Sequence, residues 1–301
     1  MSKLATLTIS CVQKPGFSSK TDSYTYLKEV VAEAATRGTN LLLLPELHAT
    51  PYFPQIEDPG YFSLAEPIDG PTAQSLSELA QQFQMVIVGS IFERRAPGLY
   101  HNSALVFEKT GALAGIYRKM HIPDDPGYYE KYYFTPGDLG FRPINTSVGK
   151  LGVLVCWDQW FPEAARLMAL QGAEILLYPT AIGWDLQDDN AEQQKQLDAW
   201  ITVQRSHAIA NGLPLAACNR WGFERHPAPY QSNQGSQFWG NSFIAGPQGE
   251  ILVHANASQS TLLTQQLDRK NIEQVRQAWP FLRDRRVEWY QELTKLFIDQ
   301  A

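Results

Sequence analysis

A chain of 301 residues with 44% hydrophobic and 12% aromatic content can bury a large core, as one large domain or two smaller ones. Its net charge of −6 lacks the basic footprint of a nucleic-acid binder and is compatible with a small cationic ligand, a weak signal because most surface charge is solvated. No apolar stretch approaches the roughly 20 residues that span a bilayer. Three scattered cysteines make no disulfide framework. With no apolar leader-like run at the N-terminus, these features lead us to expect a cytoplasmic protein. Neither Cys-x-x-Cys nor His-x-x-x-His spacing occurs, so neither a metal nor a cofactor is expected.

Leu4 to Gln13 alternates and is β-rich, and predicts a strand. Thr21 to Arg37 has helical periodicity through Tyr24, Leu27, Val30, Val31 and Ala34, and stops at Gly38. Asn40 to Pro45 is a continuous apolar run, the pattern of a strand buried on both faces. A helix over Thr72 to Gln84 follows Gly70-Pro71. Strands are then expected at Met85 to Phe92, Tyr100 to Glu108 and Leu113 to Lys119, the last two joined by the turn Lys109 to Ala112.

The second half repeats the order. Leu151 to Val155 predicts a strand, Pro162 to Leu170 a helix opened by its proline, and Glu174 to Tyr178 a strand. A long helix is expected over about Ala191 to Ala210. Strands follow at Leu213 to Cys218, Phe238 to Ala245, Ile251 to His254 and Thr261 to Gln266. Two such halves predict an α/β fold with two sheets packed face to face and helices outside: a four-layer α-β-β-α sandwich with an internal pseudo-two-fold repeat. We expect a single domain over residues 1–301, with a helical tail from about residue 270 built from Ile272 to Trp279 and Val287 to Phe297.

Ligands collect at the carboxyl ends of strands in α/β sheets. Three such ends carry reactive groups: Glu46, Lys119 and Cys156. Cys11 and Cys218 lie inside strand-like runs and read as small buried hydrophobes. Cys156 stands instead at a strand-to-helix corner, where a thiol is expected to rise into solvent and to be favoured as thiolate by helix ends and by Lys119. Glu46 can take its proton, and Lys119 can stabilise an oxyanion together with the Trp157 backbone N–H. Each acid or amine alone could be a solvated strand terminus; the three together favour a nucleophilic site.

These segments resemble the nitrilase superfamily of carbon–nitrogen hydrolases over nearly the whole chain. The resemblance rests on Leu43-Leu44-Pro45-Glu46, Tyr117 to Pro123, Gly152 to Asp158, Tyr178 to Gly183, Asn219-Arg220 and Gly240 to Ile244. It implies Glu46 as general base, Lys119 as oxyanion stabiliser and Cys156 as nucleophile, with Glu130 as the second glutamate of the site. It also implies substrate contacts from Thr180 and Ala181, and a homo-oligomer, dimeric or larger. The loop from Lys119 to Asp138 is similar to that of N-carbamoylputrescine amidohydrolases within the superfamily. That likeness implies a small cationic ureido substrate, with Asp125, Tyr128 and Trp157 as contacts. The residues agree in sign, since Asp124, Asp125 and Glu130 are anionic and Tyr128, Tyr129 and Trp157 offer aromatic faces to an alkylammonium. Asp before Pro-Gly is also ordinary turn chemistry. Hydrolases of carboxylate-bearing ureido compounds, nitrilases and a non-catalytic scaffold are the competing readings. The first would need a fixed cation; Trp157 to Pro162 contains none, which leaves Arg166 or Arg220.

Overall fold

The computed structural model describes residues 5–226 and 234–298. In the first half, β1 (Thr6–Gln13) leads to α1 (Lys20–Thr36), β2 (Leu41–Leu43), α2 (Pro71–Phe83) and three successive strands. These are β3 (Val86–Ala96), β4 (Leu99–Phe107) and β5 (Leu113–Arg118). Leu4, expected to start the first strand, lies outside the described residues. After α3 (Glu130–Tyr133) and β6 (Ile144–Thr146), the second half runs β7 (Gly149–Val153), α4 (Pro162–Leu170), β8 (Ile175–Pro179) and β9 (Gly183–Trp184). It continues through α5 (Asn190–Asn211), β10 (Leu215–Cys218), β11 (Trp221–Arg225), β12 (Gly235–Trp239), β13 (Phe243–Ala245) and β14 (Ile251–His254), and closes with β15 (Thr261–Asp268) and α6 (Arg269–Ala278).

Local chemistry sets several boundaries. Ser19 caps α1 by accepting from the Asp22 N–H at 3.1 Å. Pro71 and Pro162 open α2 and α4, where a missing N–H costs nothing. Gly212 ends α5 in the left-handed conformation, at φ 59°.

Two six-stranded sheets form, in the orders β15-β1-β2-β3-β4-β5 and β6-β7-β8-β10-β13-β14. They match position for position: an antiparallel edge pair, a parallel trio, then antiparallel neighbours. One apolar cluster joins the facing sides, with Ile9, Cys11, Leu43 and Val88 of the first sheet and Val153, Leu177, Ala216 and Cys218 of the second. The opposite face of the first sheet, through Leu42, Ile87 and Leu105, buries Leu27, Val31, Leu76 and Leu79 of α1 and α2. Helices α4 and α5 join the second sheet through Ala164, Met168, Trp200 and Ala208. This is the α-β-β-α sandwich. Truncating any of these core leucines to Ala would cost about 2–5 kcal/mol.

Two expectations fail. The run Phe238 to Ala245 is not one strand: Gly240 and Asn241 both take left-handed φ, 61° and 53°. That corner sends β13 to the second sheet and β12 to a separate three-stranded sheet, β11-β12-β9, which sequence periodicity did not reveal. The expected helix Val287 to Phe297 is absent, leaving only single turns at Val287–Trp289 and Gln291–Thr294. Its apolar residues gain little burial: Trp289, Leu293 and Phe297 are all exposed, and a short helix without a buried face is marginal.

Candidate active site

β2 and β3 run parallel, and β5 returns to that direction after two antiparallel steps, so β2 and β5 end on the same side of the first sheet. Glu46 follows β2 and Lys119 follows β5. The Glu46 N–H donates to Thr180 O at 3.3 Å, tying this edge to the end of β8 in the second sheet. Glu46, Glu130, Lys119 and Cys156 are all buried.

Lys119 Nζ donates to Glu46 Oε1 at 2.8 Å and to Glu130 Oε2 at 2.7 Å. An ammonium has three protons, so one is left for a ligand. Glu46 Oε1 also accepts from Asn102 Nδ2 at 2.6 Å, whereas Glu46 Oε2 is buried without a partner among the described residues. Glu130 opens α3, and its Oε1 accepts from the Tyr52 hydroxyl at 2.7 Å. Burial pulls Lys119 toward neutrality, but Glu130 and Glu46 outweigh it and hold the ammonium charged. Burial pushes the Glu130 carboxyl upward; Lys119 opposes that shift and Glu46 adds to it. The arrangement pairs one fixed cation with a carboxylate that keeps one oxygen free as a proton acceptor.

Cys156 has φ 46°, a left-handed conformation that costs a non-glycine residue about 1–2 kcal/mol. Asp158, fully buried, holds the corner in place. Its Oδ2 accepts from the Val155 N–H at 2.9 Å and the Tyr117 hydroxyl at 2.7 Å; its Oδ1 accepts from the His121 N–H at 3.1 Å and faces His121 Nδ1 at 2.7 Å. The thiol does not rise into solvent as expected: Cys156 is only 4% exposed. Nor is its pKa depressed. Burial raises it, the Glu46 charge raises it further, and the downward pull of Lys119 does not compensate. Burial and Glu46 thus both favour the thiol over the thiolate, and Sγ lies 3.7 Å from Ala181 O. Cys11 and Cys218 are buried inside strands, as expected.

A pocket of about 480 Å³ opens onto Cys156. Asp125, Tyr128, Trp157 and Ala181, named from the sequence as substrate contacts, line it. Thr180 does not: its hydroxyl is buried, donating to Tyr178 O at 2.9 Å and accepting from Gln159 Nε2. Tyr128 is pinned by the Gly183 N–H, which donates to its oxygen at 2.8 Å. Asp185 and Asp188 also line the pocket, together with Trp160 and Trp239, and among the described residues no Lys or Arg does. The sequence signal for the two aspartates was the acidic stretch directly after the Tyr178 to Gly183 segment.

The two arginines considered as carboxylate partners lie elsewhere. Arg220 is fully buried and saturated, donating to the Glu46, Leu47 and Thr50 carbonyls and to Glu224. Arg166 lines a separate cavity of about 560 Å³ against Arg285 and Tyr290. Among the described residues no cluster of three or more His, Cys, Asp or Glu is arranged to hold a metal, and no helix is long and apolar enough to cross a membrane.

Comparison with known proteins fits this geometry. A carbon–nitrogen hydrolase from Helicobacter pylori G27 superposes with a TM-score of 0.94 at 51% identity, covering 97% of this chain and 100% of that one. An N-carbamoylputrescine amidase of Arabidopsis thaliana is 45% identical over 88% of this chain and 88% of its own length. A citrullinase of Francisella tularensis is 38% identical over 98% of this chain and 100% of its own. The carbon–nitrogen hydrolase family profile matches residues 8–277. With that match and these relatives, a buried thiol beside a Glu–Lys–Glu cluster has its context: the chain belongs to the carbon–nitrogen hydrolase family.

Proposed function

We propose that this protein hydrolyses the ureido group of N-carbamoylputrescine to putrescine, carbon dioxide and ammonia. One observation carries the choice of substrate: away from the Lys119 cluster, the walls of the pocket that opens onto Cys156 carry Asp125, Asp185 and Asp188 and, among the described residues, no Lys or Arg. A distal ammonium is matched there and a distal carboxylate is repelled. The amidase of Arabidopsis thaliana supports the same reading by its name.

In this reading Glu46 Oε2 accepts the thiol proton as Cys156 Sγ attacks the ureido carbon. The oxyanion is held by the third Lys119 proton and the Trp157 N–H. The tetrahedral intermediate collapses as Glu46 returns the proton to the departing nitrogen, and ammonia leaves. Water then gives a proton to Glu46 and attacks the thioester-like adduct, the thiol is released with that proton, and the carbamate product loses carbon dioxide. Glu130 holds Lys119 from the far side. Asp125, Tyr128, Trp157 and Ala181 contact the substrate, Asp185 and Asp188 face its ammonium, and Thr180 supports the wall from behind. No metal or organic cofactor enters these steps. A cytoplasmic setting and a homo-oligomer of two or more copies belong to the same reading, supported by three unpaired cysteines and the exposed apolar residues of the C-terminal segment.

The test is product analysis on carbamoylputrescine, citrulline, carbamoyl-β-alanine and an aliphatic nitrile. Carbamoylputrescine is expected to give the highest kcat/KM, and Asp185→Asn to raise its KM about 10-fold without changing turnover of a neutral amide. Equal kcat/KM on carbamoylputrescine and carbamoyl-β-alanine would overturn the substrate assignment.

A further inference from the structure

The Glu46 side chain is fixed by Lys119 and Asn102, but its backbone is fixed from another part of the fold. Arg220, which follows β10, donates to the Glu46 carbonyl from Nε at 3.2 Å and from Nη2 at 3.0 Å. Nη2 also reaches Leu47 O at 2.6 Å and Thr50 O at 3.0 Å. The turn being gripped is a strained one: Leu47, immediately after Glu46, has φ 49°. Its N–H is held in turn by Ser90 Oγ at 3.1 Å. Arg220 Nη1 pairs with Glu224 Oε1 at 2.9 Å, and Glu224 Oε2 accepts from the Tyr52 N–H at 2.8 Å. The Tyr52 hydroxyl donates to Glu130, Glu130 accepts from Lys119, and Lys119 donates to the Glu46 carboxylate. The path begins at the Glu46 backbone and returns to the Glu46 side chain.

We infer that Arg220 and Glu224 are positioning residues for the general base. They lock the strained Glu46–Thr50 turn so that Glu46 Oε2 stays aimed at the thiol, and they couple that aim to Glu130 through Tyr52. Neither lines the pocket at Cys156. A guanidinium suits the task because its flat fork reaches three carbonyls and a carboxylate at once, which an ammonium cannot. The inference rests on Glu46 being the base of the proposed reaction.

Glu224→Gln keeps the shape and an acceptor for the Tyr52 N–H but breaks the charge pair; Arg220→Lys keeps the charge but loses the fork. Both are expected to lower kcat about 10- to 100-fold with KM within 2-fold, because small misplacements of reacting groups cost that much. The second readout is labelling by iodoacetamide, followed by mass spectrometry on each cysteine. A misaimed base slows alkylation of Cys156 in parallel with kcat, while Cys11 and Cys218 stay protected. A loosened fold does the reverse, exposing all three cysteines. Unchanged kcat in Glu224→Gln, or a loss of kcat accompanied by faster labelling of Cys11 and Cys218, would overturn the positioning role. If Arg220→Lys does not fold, Glu224→Gln decides alone. Glu46→Gln separates this inference from the one beneath it: unimpaired turnover and alkylation there would remove the base itself, whereas loss there with normal Arg220 and Glu224 variants would remove only the positioning device.

Discussion

β2 and β8 hold the same place in their respective sheets, third from the edge, yet β2 runs out into Glu46 and β8 into Thr180. β1 and β7 are also counterparts; one leads to buried Lys14, the other to Cys156. β5 leads to Lys119, while its counterpart β14 ends at exposed His254. The repeat thus supplies architecture twice and chemistry once. The first half contributes a carboxylate and an ammonium that hold each other in place. The second contributes the thiol and, through β9 and the loop after it, much of the pocket wall. Neither half holds all four groups, so the cluster of Glu46, Lys119, Glu130 and Cys156 exists only where the two sheets meet.

The sharpest way to break this comparison is Cys156→Ser. It should leave the fold intact and remove turnover by several orders of magnitude, since an alkoxide is far harder to form than a thiolate. Covalent adducts trapped on Cys11 or Cys218 instead of Cys156 would refute it. Next comes Lys119→Arg, which preserves charge but cannot fit two carboxylates and an oxyanion around one nitrogen. A loss of about 10²–10³ in kcat is expected. His254→Ala, at the end of the counterpart strand, should leave kcat and stability nearly unchanged; if both substitutions behave alike, the division of labour is wrong. The smallest effect concerns Glu130. Its folded-state pKa lies above the ordinary value of 4.5, pushed up to about 7 by burial against the pull of Lys119. Because the native state holds this proton more tightly than the unfolded chain, the contribution is fully present below about 4.5 and is lost as pH rises through about 7. The wild type should therefore lose stability relative to Glu130→Gln across that window, measured by denaturant unfolding at several pH values. A difference that is flat with pH would show that Glu130 does not titrate there.

The order of the two six-stranded halves was largely legible because their strands and helices carry their own periodicity, whereas the small sheet β11-β12-β9 was not. Glu46, Lys119 and Cys156 stood out because each comes at the end of a strand-like run. Glu130 needed the resemblance of its loop, since nothing local marks it. Tyr52, Asn102 and Glu224 were not legible at all: their partners lie 78, 56 and 172 residues away, at Glu130, Glu46 and Tyr52. The state of the thiol was misread for a related reason. A strand-to-helix corner suggests exposure, but exposure is decided by what other segments fold over it, here the walls carrying Tyr128 and Ala181. The tail failed in the opposite sense: Val287 to Phe297 has apolar residues at suitable spacing, yet a helix needs a buried face and Trp289, Leu293 and Phe297 stay exposed.

The burial of Cys156 also bears on chemical durability. Peroxide and similar electrophiles attack thiolates, and the first oxidation product of a cysteine forms through the ionised sulfur. A thiol that burial and neighbouring carboxylates hold back from ionising presents little such sulfur. In the proposed reaction Glu46 takes the proton as a carbon centre is attacked, so reactivity and substrate would arrive together, and the same enclosure would slow adventitious oxidation of Cys156.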